Sequence, residues 1–150
     1  MWRMGKVEHI FVCLVHRFPM RELDTAELIA DKGLKGCIHG KPGSKRQVLL
    51  MAAEVMDALN LEPGDVKENF TTSGLDHSQI SLGRQLKIGE AILEATGPCE
   101  PCYRMDEIRN GLKAELRGRR GWLFRVIQGG KVQRSDEIEF LESPAKQAAD

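Results

Sequence analysis

The chain is cut into short apolar segments by closely spaced glycines, and this limits its fold more than any other feature. Fifteen glycines and six prolines occur in 150 residues, so few stretches run long enough for an ordinary helix. "QLKIGEAILEATG" (85–97) alternates apolar and polar residues around Gly89, as the two arms of a β-hairpin do. "WLFRVIQGGKVQRSDEIEFLE" (122–142) reads as a second hairpin with Gly129-Gly130 at its bend. "HIFVCLV" (9–15) and "QVLLM" (47–51) are near-continuous apolar runs and predict buried strands.

Helical signals are fewer. "AAEVMDALNL" (52–61) carries Val55, Met56 and Leu59 at the spacing of an amphipathic helix. Residues 101–121 predict a helical turn or two, and 22–33 fits either a short helix ending at Gly33 or a strand and turn. Strands outnumber helices, and neither βαβ alternation nor an internal repeat is visible. The expected fold class is therefore mostly β, a closed or nearly closed β-barrel with a few short helices. One domain is expected over 1–150, with "SPAKQAAD" (143–150) a frayed tail.

Charge and hydropathy narrow the partners. Lys plus Arg and Asp plus Glu both number 22, for a formal net charge of zero. The basic excess of a nucleic-acid binder is missing, so none is expected. The apolar run 7–18 is broken by Glu8, His9 and His16 and is too short to cross a bilayer, so no membrane partner is expected. Four cysteines without a secretory signal point to a reducing compartment, and the cytoplasm is the expected location.

The chemistry concentrates in "PCEPCYRM" (98–105) and two polar loops. Cys99 and Cys102 allow four readings: half of a zinc site completed by Cys37 and His39, a redox pair, two packed thiols, or one functional thiolate. Arg104, Arg109, Arg117, Arg119 and Arg120 follow, and such cations depress a thiol pKa and hold anions. The loop "LKGCIHGKPGSKRQ" (34–47) is dense in ligand-type residues: Cys37, His39, Lys41, Ser44, Lys45 and Arg46. "ENFTTSGL" (68–75) adds hydroxyls and backbone donors of the kind that cradle phosphate. Each loop taken alone reads more readily as a solvated connection.

The order and spacing of "GLKGCIHG…RQVLL", "ENFTTSGLD", "LKIGEAILEATGPCEPCYRM" and "RRGWLFRVIQGGKV" resemble the MOSC domain, named after the C-terminal part of molybdenum cofactor sulfurase. The resemblance runs from about Gly33 to Phe140 and suits a small standalone bacterial-type member. It implies a β-barrel with a pocket and an association with the molybdenum cofactor, a pterin dithiolene bearing a phosphate (molybdopterin). It also implies that Cys102 is the catalytic residue, binding molybdenum or carrying sulfur as a persulfide, with Cys99 a bystander or modest helper. His39, Lys45, Arg46, Asn69, Thr71 and Thr72 are then the expected cofactor-binding residues, and Arg104 the expected partner of the thiolate.

Two activities follow from the resemblance: reduction of N-hydroxylated compounds with external electron donors, or carriage of sulfur or cofactor. Redox or cofactor-biosynthesis proteins are the expected partners, since the chain has no ferredoxin-like cysteine spacing and no nucleotide motif. The alternatives are a binding barrel without cofactor chemistry and a CxxC zinc or redox protein. Pyridoxal phosphate is not expected. In one departure, Cys37 stands where the family commonly has an acidic residue, and it is a candidate resolving thiol for Cys102. In another, Arg134-Ser135 replaces a Gly-Asp turn, with only a surface loop expected to change.

Overall fold

The computed structural model describes residues 5–16 and 18–142; the expected tail at 143–150 lies outside them. Among the described residues the strands are β1 (Gly5–Val12), β2 (Arg21–Leu23), β3 (Thr25–Ile29), β4 (Gly33–Leu34), β5 (Val48–Ala52), β6 (Phe70–Ser73), β7 (Gln85–Ile88), β8 (Ala91–Pro98), β9 (Trp122–Gln128), β10 (Gly130–Gln133) and β11 (Glu137–Phe140). Three short helices join them: α1 (Ala53–Ala58), α2 (Arg104–Ile108) and α3 (Leu112–Glu115).

The main sheet runs β11-β7-β8-β9-β5-β6-β1-β2, and β1 also pairs with β11. That last pairing closes β11, β7, β8, β9, β5, β6 and β1 into a seven-stranded barrel, with no exposed sheet edge at the join. β5 and β6 are parallel, joined through α1, and the other pairs are antiparallel. A smaller sheet, β10-β3-β4, stands beside the barrel.

The period-2 pattern does what it should in β7 and β8. Leu86 and Ile88 point inward, as do Ala91, Leu93 and Ala95, and the hairpin register runs from Gln85↔Glu94 to Ile88↔Ala91. All of β5 is buried, for a reason its apolar run alone did not reveal. Val48 and Leu50 fill the barrel with Phe70, Phe124 and Val126, while Met51 packs outside with Met56, Met105 and Leu112 of the three helices and with Leu116 just after α3. Leu49, also on the outer side, contacts Cys99 and Leu123.

Two expectations needed the structure. Residues 22–33, ambiguous in sequence, form β2 and β3, with no helix. The expected hairpin over 122–142 does not form: β9 pairs with β5 and β8, and β10 pairs with β3. Gly129-Gly130 is a corner where the chain leaves the barrel for the small sheet. A Cβ on Gly129 would lie 2.5 Å from the Leu28 carbonyl oxygen, so close packing, rather than a tight turn, accounts for this glycine.

Candidate functional site

A cavity of about 490 Å³ opens on the outer side of the barrel wall. Leu49 and Leu123 of β5 and β9 line it together with Cys99. Above these sit His16, His39, Lys41, Arg46, Lys67 and Arg120, and no carboxylate is among its lining residues. Lys41, Arg46, Lys67 and Arg120 around one apolar-floored cleft, without a compensating acid, produce a positive potential that low-dielectric walls focus.

The loop bearing His39, Lys41 and Arg46 is clasped to the barrel by buried polar atoms. Gln47 is fully buried. Its Nε2 donates to Asp31 Oδ1 and to the Lys41 carbonyl, and its Oε1 accepts from the Val126 N–H at 2.9 Å. Farther along, the Ile38 N–H donates to the Cys13 carbonyl at 2.8 Å. Cys37 Sγ accepts from the Cys13 N–H at 3.4 Å and from Asn69 Nδ2 at 3.6 Å. Burial pushes the Cys37 thiol up, but the His39 side chain and the Cys13 and His39 backbone donors outweigh it and bring it down to about 7. A sulfur that is partly thiolate at neutral pH therefore occupies this joint. It serves as the acceptor that a carboxylate would be.

Asn69 completes this joint. Its Oδ1 accepts from the Leu49 N–H and its Nδ2 donates to the Phe11 carbonyl, tying β1 to β5 under the cavity. Behind it lies a buried pair of charged residues. Glu68 Oε2 accepts from the Gly64 N–H and from Thr71 Oγ1, and its Oε1 has no partner. Burial holds the Glu68 carboxyl above its ordinary pKa. Arg120 Nη2 donates to the Val66 carbonyl at 2.7 Å, and its Nε and Nη1 are buried without a partner.

A second cavity of about 540 Å³ shares Cys99 and Arg120 with the first. Val55, Ile80, Pro98 and Trp122 form its apolar walls, and His77 and Ser78 its polar ones. His77 Nε2 is 3.0 Å from Thr72 Oγ1, and burial lowers the imidazole pKa, which keeps it neutral at physiological pH.

The cysteine segment lies along this junction. Cys99 is buried, its N–H donates to the Gly121 carbonyl, and the residue lines both cavities. Cys102 is exposed and stands just before α2, where its carbonyl accepts from the Met105 N–H at 2.9 Å. Both thiols lie within electrostatic range of Arg120. Arg104 is raised above its ordinary pKa chiefly by the Tyr103 side chain, with Cys102 a lesser influence.

A family model described as "MOSC domain" matches residues 36–139. The chain belongs to the MOSC domain family. It is 32% identical over 78 residues to Protein YiiM of Escherichia coli strain K12, 49% of this chain and 35% of that protein. It is 29% identical over 84 residues to the uncharacterized protein YflK of Bacillus subtilis strain 168, 53% of this chain and 38% of that one. The chain thus spans little more than a third of the curated relatives it matches. Among solved structures, the Bacillus subtilis YUAD protein superposes with a TM-score of 0.76 at 20% identity, covering 92% of this chain and 97% of that one. YiiM from Escherichia coli superposes with a TM-score of 0.69 at 22% identity, covering 95% of this chain and 71% of that one. At these identities the superpositions establish the MOSC fold. β1, which closes the barrel, lies outside the matched residues.

Of the residues expected at the MOSC site, His39, Arg46 and Asn69 line the first cavity. Lys45 is not among its lining residues; the Lys45 side chain is exposed and its carbonyl accepts from Thr96 Oγ1. Thr71 turns to Glu68 and Thr72 to His77, the alternation of β6 sending them to opposite sides. Cys102 and Arg104 line neither cavity. Among the described residues no three metal-ligating side chains cluster, and all four cysteines are free. Cys37 lies beside Cys13. No helix among the described residues is long and apolar enough to cross a membrane.

Sequence reasoning left out His16 and Lys67 as ligands. It grouped Arg120 with four other arginines. Lys67 had a faint signal in the Gly64–Asn69 stretch, where its backbone takes a left-handed φ of 66°. The burial of Arg120 had none.

Proposed function

We propose that this MOSC protein binds the phosphate-bearing pterin of the molybdenum cofactor in the first cavity, with Lys41, Arg46, Lys67 and His39 as anion ligands. The observation behind this reading is the cluster of cations around that cavity with no carboxylate among the lining residues. The donor set fits the group: ammonium and guanidinium for phosphate oxygens, an apolar floor of Leu49 and Leu123 for a flat ring, and a thiol within the wall. When bound, the cofactor supplies oxygen-atom and two-electron chemistry at molybdenum, and a soft thiolate is a suitable protein ligand to that metal. In this reading the clasped loop 34–47 holds its cations in place before the ligand arrives, which lowers the ordering cost of binding. The activity that fits is reduction of N-hydroxylated compounds, with electrons delivered by a separate redox protein.

A second reading rests on the exposure of Cys102. An exposed thiolate is reachable by a protein-bound persulfide. Attack on the donor's terminal sulfur forms a new S–S bond at Cys102 and expels the donor cysteine as thiolate, leaving Cys102 loaded for onward transfer.

Protein purified from a cofactor-producing host separates the two. Molybdenum and pterin near one per chain, lost in Cys102→Ala and kept in Cys99→Ala, support cofactor binding through Cys102. Loss in Cys99→Ala alone moves the metal contact to the buried thiol. A one-sulfur mass increase on Cys102 without molybdenum supports sulfur carriage. Neither cofactor nor persulfide from such a host refutes both.

A further inference from the structure

Arg120 is over nine-tenths buried and uses one nitrogen, Nη2, on the Val66 carbonyl. Its Nε and Nη1 have no partner, an unusual condition for a guanidinium with five donors. The nearby carboxylate does not resolve it. Glu68 Oε2 is committed to Gly64 and Thr71, its Oε1 is unpartnered too, and no ion pair joins Glu68 to Arg120 among the described residues. Such a cation has two donors left over for an anion or a water molecule.

The second cavity is where such an anion has room. Arg120 lines it, and its 540 Å³ lies within the range of small-molecule sites. Its character differs from that of the first cavity. Val55, Ile80, Pro98 and the Trp122 ring give it extended apolar walls. Its cations are Arg119 and Arg120, set against the carboxylate of Glu100. A multiply charged phosphate is poorly matched to so little positive charge beside an acid. A monoanion carrying a flat apolar body matches both the walls and the guanidinium.

We propose that this second cavity is a distinct binding site for small aryl carboxylates, with Arg120 receiving the carboxylate and Trp122 flanking the ring. Cys99 and Arg120 also line the first cavity, so the two sites share a wall and the proposal is tested on protein free of cofactor. Burial also lowers the Arg120 pKa, with Cys99, Glu68 and Cys102 acting in the opposite sense.

Benzoate is the probe, benzamide its uncharged counterpart, and two-dimensional ¹H–¹⁵N NMR on the full chain the readout. Saturating shifts are expected at the Trp122 indole N–H and the Ser78 and Gly121 amides, with benzamide weaker by about tenfold or more, the loss of a charge-assisted hydrogen bond. Arg120→Gln should weaken benzoate by at least the same factor. Because that variant also loses the Val66 contact, Val55→Trp provides an independent test: it fills the cavity from α1, leaves the guanidinium in place, and should abolish binding. The proposal is overturned if benzoate does not saturate, if benzamide binds equally well, if the shifts fall on His39 and Ser44 in the first cavity, or if folded Val55→Trp binds as the wild type does.

Discussion

The two flanks of the first cavity are built in opposite ways. On one side, loop 34–47 is fixed by Gln47, Asp31, Cys37 and Asn69, whose polar atoms are spent on backbone groups of the barrel and the loop and on one another. On the other, the 98–104 segment enters on the Cys99–Gly121 hydrogen bond and then leaves Cys102 in solvent. The first arrangement sets cations in position before any ligand arrives. The second leaves a thiol open to solvent. Under the proposed function, charge recognition and thiol chemistry make different demands, which a rigid flank and an open one would meet.

Damage to the rigid flank should produce the largest effects. A Cβ on Gly40 would sit 2.6 Å from the Lys32 carbonyl oxygen. Gly40→Ala should therefore destabilise the fold by about 2–4 kcal/mol in urea titration, in the range of a backbone clash in a packed region. An unchanged midpoint would mean the loop is looser than its hydrogen bonds indicate.

Cys37 gives a smaller effect with a pH signature. Cys37→Ala leaves the Cys13 N–H and one Asn69 donor without an acceptor and should cost about 1–3 kcal/mol, while Cys37→Asp should recover part of that loss. The thiol's folded pKa of about 7 lies below its ordinary value near 8.5. A depressed acid contributes stability that is full above the unfolded pKa and lost as pH falls through the folded one. The wild type should therefore gain stability on Cys37→Ala as pH rises from 7 to about 9. Parallel stability curves for the two proteins across that range would contradict the thiolate assignment.

The open flank should barely register in stability. Cys102→Ala is expected to change unfolding free energy by less than about 0.5 kcal/mol, because the side chain is exposed. Cys99→Ala removes a buried sulfur that contacts Leu49 and Leu123 and should cost about 1 kcal/mol. Equal costs would erase the distinction between the two thiols.

Much of this was legible in the residues, and what was not has a physical reason. The 85–97 hairpin could be read because one face is buried and period 2 reports it directly. β5 could be read as buried, but its outer cover of Met56, Met105 and Leu112 comes from three separate helices and leaves no local trace. Gly129-Gly130 looks alike as a hairpin bend or a corner, since the deciding contact is with Leu28, about a hundred residues earlier. At the site, His39 and Arg46 stood out because ligand-type residues crowd one glycine-rich loop. Arg120 did not, because "RRG" reads as solvated charge until tertiary packing buries one arginine of the cluster. Thr71 and Thr72 were drawn together by adjacency, and strand alternation separates them.

The central claim is that the cations of the rigid flank hold an anionic cofactor. Molybdenum and pterin content of the Lys41→Gln/Arg46→Gln double variant, expressed beside the wild type in a cofactor-producing host, tests it most directly. Near one cofactor per chain is expected in the wild type, and less than a tenth of that in a double variant of unchanged stability. Equal loading of the two proteins, or a wild type without molybdenum, would contradict the account.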